Sequence, residues 1–429
     1  MAIHLRKFGV SLVAMTMSVA GLLVVSSGSV AGAAPKSKVG TITVGTLYAS
    51  TGAYATSSLP EYAGLQFWAK QVNAQGGMYV KPLKKKEKVK IVAYDDQSDP
   101  ATATTLYTQL LNQNHVNVLV ADFGSVLTAP VVTIAKDQKH VVFDPTGTGT
   151  TFFSSGPNPY LVLTGLPVSS VWPLPLAKLL IKLKAKKVAI LYCQNDFDQA
   201  QANTIQAALK SAGITPVYFQ GVPTTQTDYS TLVQSIKATS PDAVLELGFP
   251  NNDIAFLNQL ASTGTHFPFV LTPFPGQLPA LFKSSVGAKT LDYTYTYGVP
   301  PILKYNSVSM GMGINNFIKT FAHGNASSIA FTSIAGYNTG LAIQAAFANA
   351  KSMTQLGIRA GITAVSGKLH TLEGVMRWNG AGAQLGELLP IAQFFPRGSG
   401  FAEKIVFPGT PQQVKLVAAK PVYPAPTAP

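Results

Sequence analysis

The sequence predicts an α/β chain folded as two parallel-sheet lobes. Short apolar runs alternate with segments of helical period, and this alternation restarts part-way along the chain. The composition agrees: the 429 residues are 47% apolar and only 12% charged, about half the charge of an ordinary globular chain. That balance excludes a solvated disordered chain and leaves material for two or three domains with real cores.

In the first half, residues 42–47 read as a strand. Residues 61–75 follow as an amphipathic helix, with Leu65, Trp68, Ala69 and Val72 on one face and Gly76-Gly77 ending it. Residues 89–94 are the next strand. Asp99-Pro100 supplies an N-cap and a first-turn proline for a helix reaching Gln113. Residues 116–121 and 141–144 are further strands. After Thr164 the order begins again: helix 175–184, strand 187–193, helix 199–212 closed by Gly213, strands 216–219, 243–247 and 267–271, and helices 229–239 and 253–262 between them. The Tyr- and Thr-rich run 290–298 predicts a strand passing back to the first lobe, and 333–350 is the strongest later helix. The Pro- and Ala-rich tail 421–429 is expected to be disordered.

The N-terminus has its own grammar. Arg6-Lys7, an apolar run over 8–25 and the small residues Ala31-Gly32-Ala33 follow the order of a secretory signal peptide, here 1–33, cut before Ala34. An uncleaved anchor is the alternative reading; Ser11, Thr16, Ser18 and Gly21 weaken it. The expected location is extracytoplasmic. The formal net charge of +14 could draw nucleic acid, yet its densest run, Lys81–Lys90, is broken by Pro82 and reads as a solvated loop, so no nucleic-acid partner is expected. Sparse acids also fit exposure to low external pH, since few carboxylates then titrate.

The chemistry-bearing residues are few. The single cysteine, Cys193, forms no internal disulfide, and the six histidines never approach metal-ligand spacing, so neither metal nor cofactor is expected. Cys193 ends a strand and reads as core, with a cleft position as the alternative. Nucleophile-elbow, metalloprotease and phosphate-loop motifs are missing, so the chain does not read as an enzyme. Asp99 reads as a helix cap and Asp95-Asp96 as a strand-end turn rather than a calcium loop. Three loops at expected strand ends carry small hydroxyl residues: Ser50–Tyr54, Phe123–Ser125 and Asp144–Thr150. Each reads either as turn chemistry or as a source of N–H and O–H donors for an anion.

The ordered series Gly52, Glu61-Tyr62-Ala63-Gly64, Val72-Asn73-Ala74-Gln75-Gly76-Gly77, Tyr94-Asp95-Asp96-Gln97-Ser98-Asp99-Pro100, Phe123-Gly124-Ser125, Asp228–Val233 and Pro241–Val244 resembles the type I periplasmic solute-binding proteins, in their leucine/isoleucine/valine-binding branch. The similarity runs from about Thr41 to about Pro408. It implies two Rossmann-like lobes joined by a three-crossing hinge and closing on a small ligand, with a membrane permease and an ATPase as partners. The crossings are expected near 163–164, 293–296 and 373–375. That divides the chain into a first lobe of 41–163 plus 296–373 and a second of 164–293 plus 375–408.

Carried over by position, Ser125, Thr146 and Thr148 match the residues that hold the ligand carboxylate. Phe197 and Phe249 match covering aromatics, with core packing as the alternative, and Tyr54 lies in a loop that often contributes another. The glutamate that holds the ligand ammonium has no counterpart in Thr272-Pro273-Phe274-Pro275, leaving Asp196, Asp198 and Glu246 as the acids to replace it. The family disulfide positions correspond to Ser98 and Gly124. The ligand implied is an amino-acid-like molecule, an amide or a carboxylate, aromatic or branched if it lacks an α-amino group. A ligand-sensing receptor is a second reading on the same fold; a secreted hydrolase, a third, lacks a readable nucleophile–base pair.

Overall fold

The computed structural model describes residues 40–154, 156 and 158–426, so the expected signal peptide lies outside the described residues. Among them no helix is long and apolar enough to cross a membrane. The first sheet takes β1 (Thr41–Tyr48), β2 (Met78–Val80), β3 (Lys85–Asp95), β4 (Val118–Val120), β5 (Val142–Asp144) and β6 (Leu161–Leu163), in the order β2-β3-β1-β4-β5-β6. All its pairs are parallel except β2 with β3. The second takes β7 (Val188–Cys193), β8 (Tyr218–Val222), β9 (Ala243–Leu247), β10 (Val270–Leu271) and β11 (Tyr295–Tyr297). After the hairpin of β12 (Leu369–Thr371) and β13 (Gly374–Met376), β14 (Ile391–Arg397) and β15 (Gly400–Phe407) complete it in the order β15-β14-β11-β10-β9-β7-β8. Val118, Leu119 and Val120 are buried on both faces, as parallel strands under two helix layers must be.

Four expectations are corrected. The run 290–298 does form a strand, but β11 pairs with β10 and β14 inside the second sheet, so the second crossing follows Tyr297. The third crossing also lies later than 373–375: Met376 and Trp378 are packed in the first core, and the chain reaches the second sheet only at Ile391. Lys81–Lys90 is a hairpin rather than a solvated loop, because the edge strand β2 pairs with Lys85–Glu87 while Lys85, Lys86 and Lys88 reach Glu87, Gln75 O and Asn73 O. The tail is ordered as far as it is described. Ala425 N–H donates to Pro268 O (2.8 Å), and Tyr295 Oη donates to Val422 O (2.8 Å). Low-complexity composition hides such docking because the partner is backbone.

The three crossings lie side by side. Trp378 Nε1 donates to Leu163 O (2.5 Å), Gln384 Nε2 to Gly165 O (3.1 Å) and Gly298 N to Pro390 O (2.7 Å), lacing each strap to the next. The helix Ala55–Ala74 crosses the helix Phe331–Asn349 at two glycines, where a Cβ on Gly64 would meet Ser333 O and one on Gly336 would meet Glu61 O. This close crossing lowers Glu61 to the end of the first sheet. Gly336→Val should therefore destabilise the protein by about 3 kcal/mol, read as a lower urea midpoint; an unchanged midpoint would show that the contact can open without loss.

Candidate ligand-binding cleft

The first-lobe wall is made by the loops after β4 and β5, and buried carboxyl groups hold both. Asp122 accepts from Phe123 N (2.7 Å) and from Ser58 Oγ (2.5 Å). Asp144 accepts from Gly147 N (2.6 Å) and Thr146 N (3.2 Å). The helix Gly124–Asp137 starts at Gly124, whose positive φ of 74° lets the backbone turn beneath the ring of Phe249. Gly124 N donates to Thr146 Oγ1 (2.9 Å), and that hydroxyl donates to Glu61 Oε2 (2.7 Å). Gly149 N donates to Ser125 Oγ (2.9 Å). Thr148 Oγ1 is buried and has no hydrogen-bond partner among the described residues.

The second-lobe wall is aromatic. Phe249 starts the helix Pro250–Thr263 after β9, Phe197 lies in the first turn of Asp196–Ser211 after β7, and Phe274 follows β10. Phe197 stacks on Phe249 with ring centroids 5.8 Å apart and meets Trp172 edge-on at 5.0 Å. Rings from the first lobe continue the layer: Tyr54 meets Phe249 at 5.2 Å and Phe123 meets Phe274 at 6.4 Å. Between these walls lies a small pocket with Phe123, Phe197, Phe249 and Phe274 on its apolar side and Thr146 and Thr148 on its polar side. Four hydrogen bonds among those of the described residues join the lobes around it. Thr151 N (2.9 Å) and Oγ1 (2.6 Å) both reach Asp196 Oδ2, Asn251 Nδ2 reaches Ala53 O (3.2 Å), and Phe331 N reaches Gln277 O (2.8 Å).

A sequence profile of the periplasmic binding protein family matches residues 41–398. The chain belongs to that family. The binding protein is 27% identical over 229 residues to a Leu/Ile/Val-binding protein of Citrobacter freundii, an alignment covering 53% of this chain and 60% of that relative. It is 24% identical over 284 residues to an amino acid binding protein of Pseudomonas aeruginosa, covering 66% of this chain and 70% of the other. The fold is also similar to solved structures. One is a branched-chain amino acid transporter substrate-binding protein of Streptococcus pneumoniae in complex with isoleucine, with TM-score 0.71 and 19% identity, covering 86% of this chain and all of that one. Another is a solute-binding protein of R. palustris in complex with benzoate, with TM-score 0.70 and 16% identity, covering 89% of this chain and all of the other. The family is thus one of solute-binding proteins, and the fold is the two-lobed α/β fold that the sequence led us to expect.

Of the residues singled out in the sequence, Thr146, Thr148, Phe197 and Phe249 line the cavity together. Ser125 and Tyr54 stand one layer back, Ser125 fixing Gly149 and Tyr54 propping Phe249. Phe123, Gly124 and Phe274 join the lining from loops the sequence had placed at strand ends. Trp172, Gln277 and Phe331 also line it, and no local pattern distinguished them from core. Asp196, Asp198 and Glu246 are not among the described lining residues. Asp196 bonds Thr151, Asp198 bonds Asn195 Nδ2 (2.6 Å), and Glu246 faces Asp253 behind the rings. Cys193 is buried core, and burial pushes its thiol up.

Behind both walls the electrostatics are one-sided. Burial, with Asp122 next in effect, raises the Glu61 carboxyl well above the usual range. Burial also raises Asp122, which has Asp96 beside it. Burial carries Asp144 to about 7 against the pull of its two N–H donors, and Glu403 to about 8. In the second lobe Asp198 and Asp253 are raised by burial too. The one ion pair among the described residues, Lys85–Glu87 at 2.8 Å, lies elsewhere. Since these pKa values lie above those of an unfolded chain, the folded state holds the extra protons. The stability they contribute is complete below about pH 4 and is lost as the pH rises through about 7 to 8. The melting temperature should fall steadily from about pH 4.5 to about pH 8.5; a rise over that interval in a thermal scan would contradict the assignment.

Proposed function

We propose that this binding protein is the extracytoplasmic solute-binding component of an ABC importer, closing its lobes on a small amino-acid-like, amide or carboxylate ligand. A membrane permease and an ATPase are the partners this role requires. The observation that carries the reading is the buried Thr148 hydroxyl, without a partner among the described residues and in the lining of the pocket between the lobes, a polar group that a ligand acceptor would satisfy. The hinge straps run close together, so the lobes can part about a narrow line without disturbing either sheet. The Leu/Ile/Val-binding relatives and the benzoate-bound neighbour support a ligand with one polar end and an apolar body.

Mass spectrometry of small molecules released by denaturing the purified protein tests the reading, together with small-angle scattering before and after the released compound is restored. A ligand-dependent contraction is expected; a single shape indifferent to every compound offered would refute it. Thr148→Val should weaken that ligand by about tenfold in a titration, because one hydrogen bond is lost. The same change should leave the melting temperature of the ligand-free protein unchanged or slightly raised, since a buried unpaired hydroxyl is removed. A lower melting temperature with unchanged affinity would place Thr148 outside the site.

A further inference from the structure

We propose that the cleft captures a small apolar carboxylate together with one proton, the proton settling on Glu61 behind Thr146, so that capture tightens in acid. This rests on the solute-binding reading and goes beyond it by naming the ligand class and a coupled ion.

The argument begins with what surrounds the cavity. Its apolar side is a shell of rings, which suits a hydrocarbon body, and no carboxylate is among the described lining residues to pair with an ammonium group. Its polar side offers the unpartnered Thr148 hydroxyl, a donor without an acceptor, next to Thr146. A carboxylate is the group that takes donors and returns none.

Thr146 is the second donor only in one protonation state. Its oxygen already accepts from Gly124 N, and its proton points to Glu61 Oε2 as long as Glu61 is ionised. When Glu61 binds a proton, the carboxylic acid can donate to Thr146 Oγ1, which then accepts from both Gly124 and Glu61. The Thr146 proton is released to turn toward the cavity. Glu61 is therefore a positioning residue that acts through Thr146.

The next layer reinforces the coupling. The groups acting on Glu61 are Asp122, Asp144 and Glu373, with Asp96 and Tyr107 beyond Asp122. Every one of them is acidic, and no Lys, Arg or His is among them. An anion entering the cavity therefore raises the negative potential at a site holding no cation, and proton uptake relieves it. Asp144 is the less suited recipient, because two backbone N–H groups favour its ionised form.

The test is isothermal titration of the full mature protein with benzoate and with 4-methylpentanoate, from about pH 5 to about pH 8.5, in buffers of different protonation enthalpy. In the wild type, affinity should be level in acid and then fall by about tenfold per pH unit, with about one proton taken up per ligand on the falling limb. Glu61→Gln should bind with little pH dependence and without proton uptake. Asp144→Asn should keep the wild-type slope. A level wild-type profile with no proton uptake would overturn the proposal, as would a slope that survives in Glu61→Gln but disappears in Asp144→Asn. Tighter binding of leucine than of 4-methylpentanoate would overturn the ligand class while leaving the importer reading standing. Failure of every compound, including any ligand released on denaturation, to bind or to contract the protein would remove both.

Discussion

Carboxyl groups buried without cations are the constraint on which the cleft depends. Asp122 holds the loop after β4, Asp144 the loop after β5, and Asp253 the loop after β10 through Phe274 N at 2.8 Å. None of the three is among the described lining residues and each fixes a backbone N–H, so the loops that carry the lining residues are held by polar anchors beneath an apolar surface. Such anchors are tolerable because they are hydrogen-bonded and because burial raises them above the usual carboxylate range, which eases the cost of burying a charge. A lysine or arginine in the same layer would pair with them and pull a loop out of position.

Ring packing completes the arrangement from the opposite side. Phe197, Phe249 and Phe274 belong to three different strand ends, yet they form a single surface, met by Tyr54 and Phe123 from the other lobe. Non-directional apolar contact allows the lobes to slide into register. The few directional bonds, such as Thr151 to Asp196, then select one relative position. The division of labour follows from geometry: polar anchors set each wall, and apolar contact joins the walls.

Much of the architecture was legible along the chain. The strands β1, β7 and β9 lie where β-branched runs are bounded by turns, and Asp99 caps its helix as the Asp-Pro pair announces, accepting from Thr102 N at 2.6 Å. The hairpin of β14 and β15 was not foreseen, nor was the start of the first helix at Ala55 despite Pro60 within it. The hairpin is docked through the pairing of β14 with β11, and the helix start is tied down through Tyr54 N to Ser98 Oγ, both contacts far apart in the chain. Within the cleft, hydroxyl-rich loops at strand ends pointed to Thr146 and Thr148, whereas Trp172 and Phe331 carry no local mark that separates a lining ring from a core ring.

The sequence alone determined the alternation of strands and helices, the two-lobed class and the loops available for binding, because periodicity and turn chemistry act between near neighbours. Only the tertiary structure decided which sheet received β11, where the straps cross, and that the Thr146 hydroxyl is hydrogen-bonded to Glu61. Those outcomes are set by contacts between residues tens to hundreds of positions apart, where burial removes water and leaves each polar group the partners that packing happens to supply.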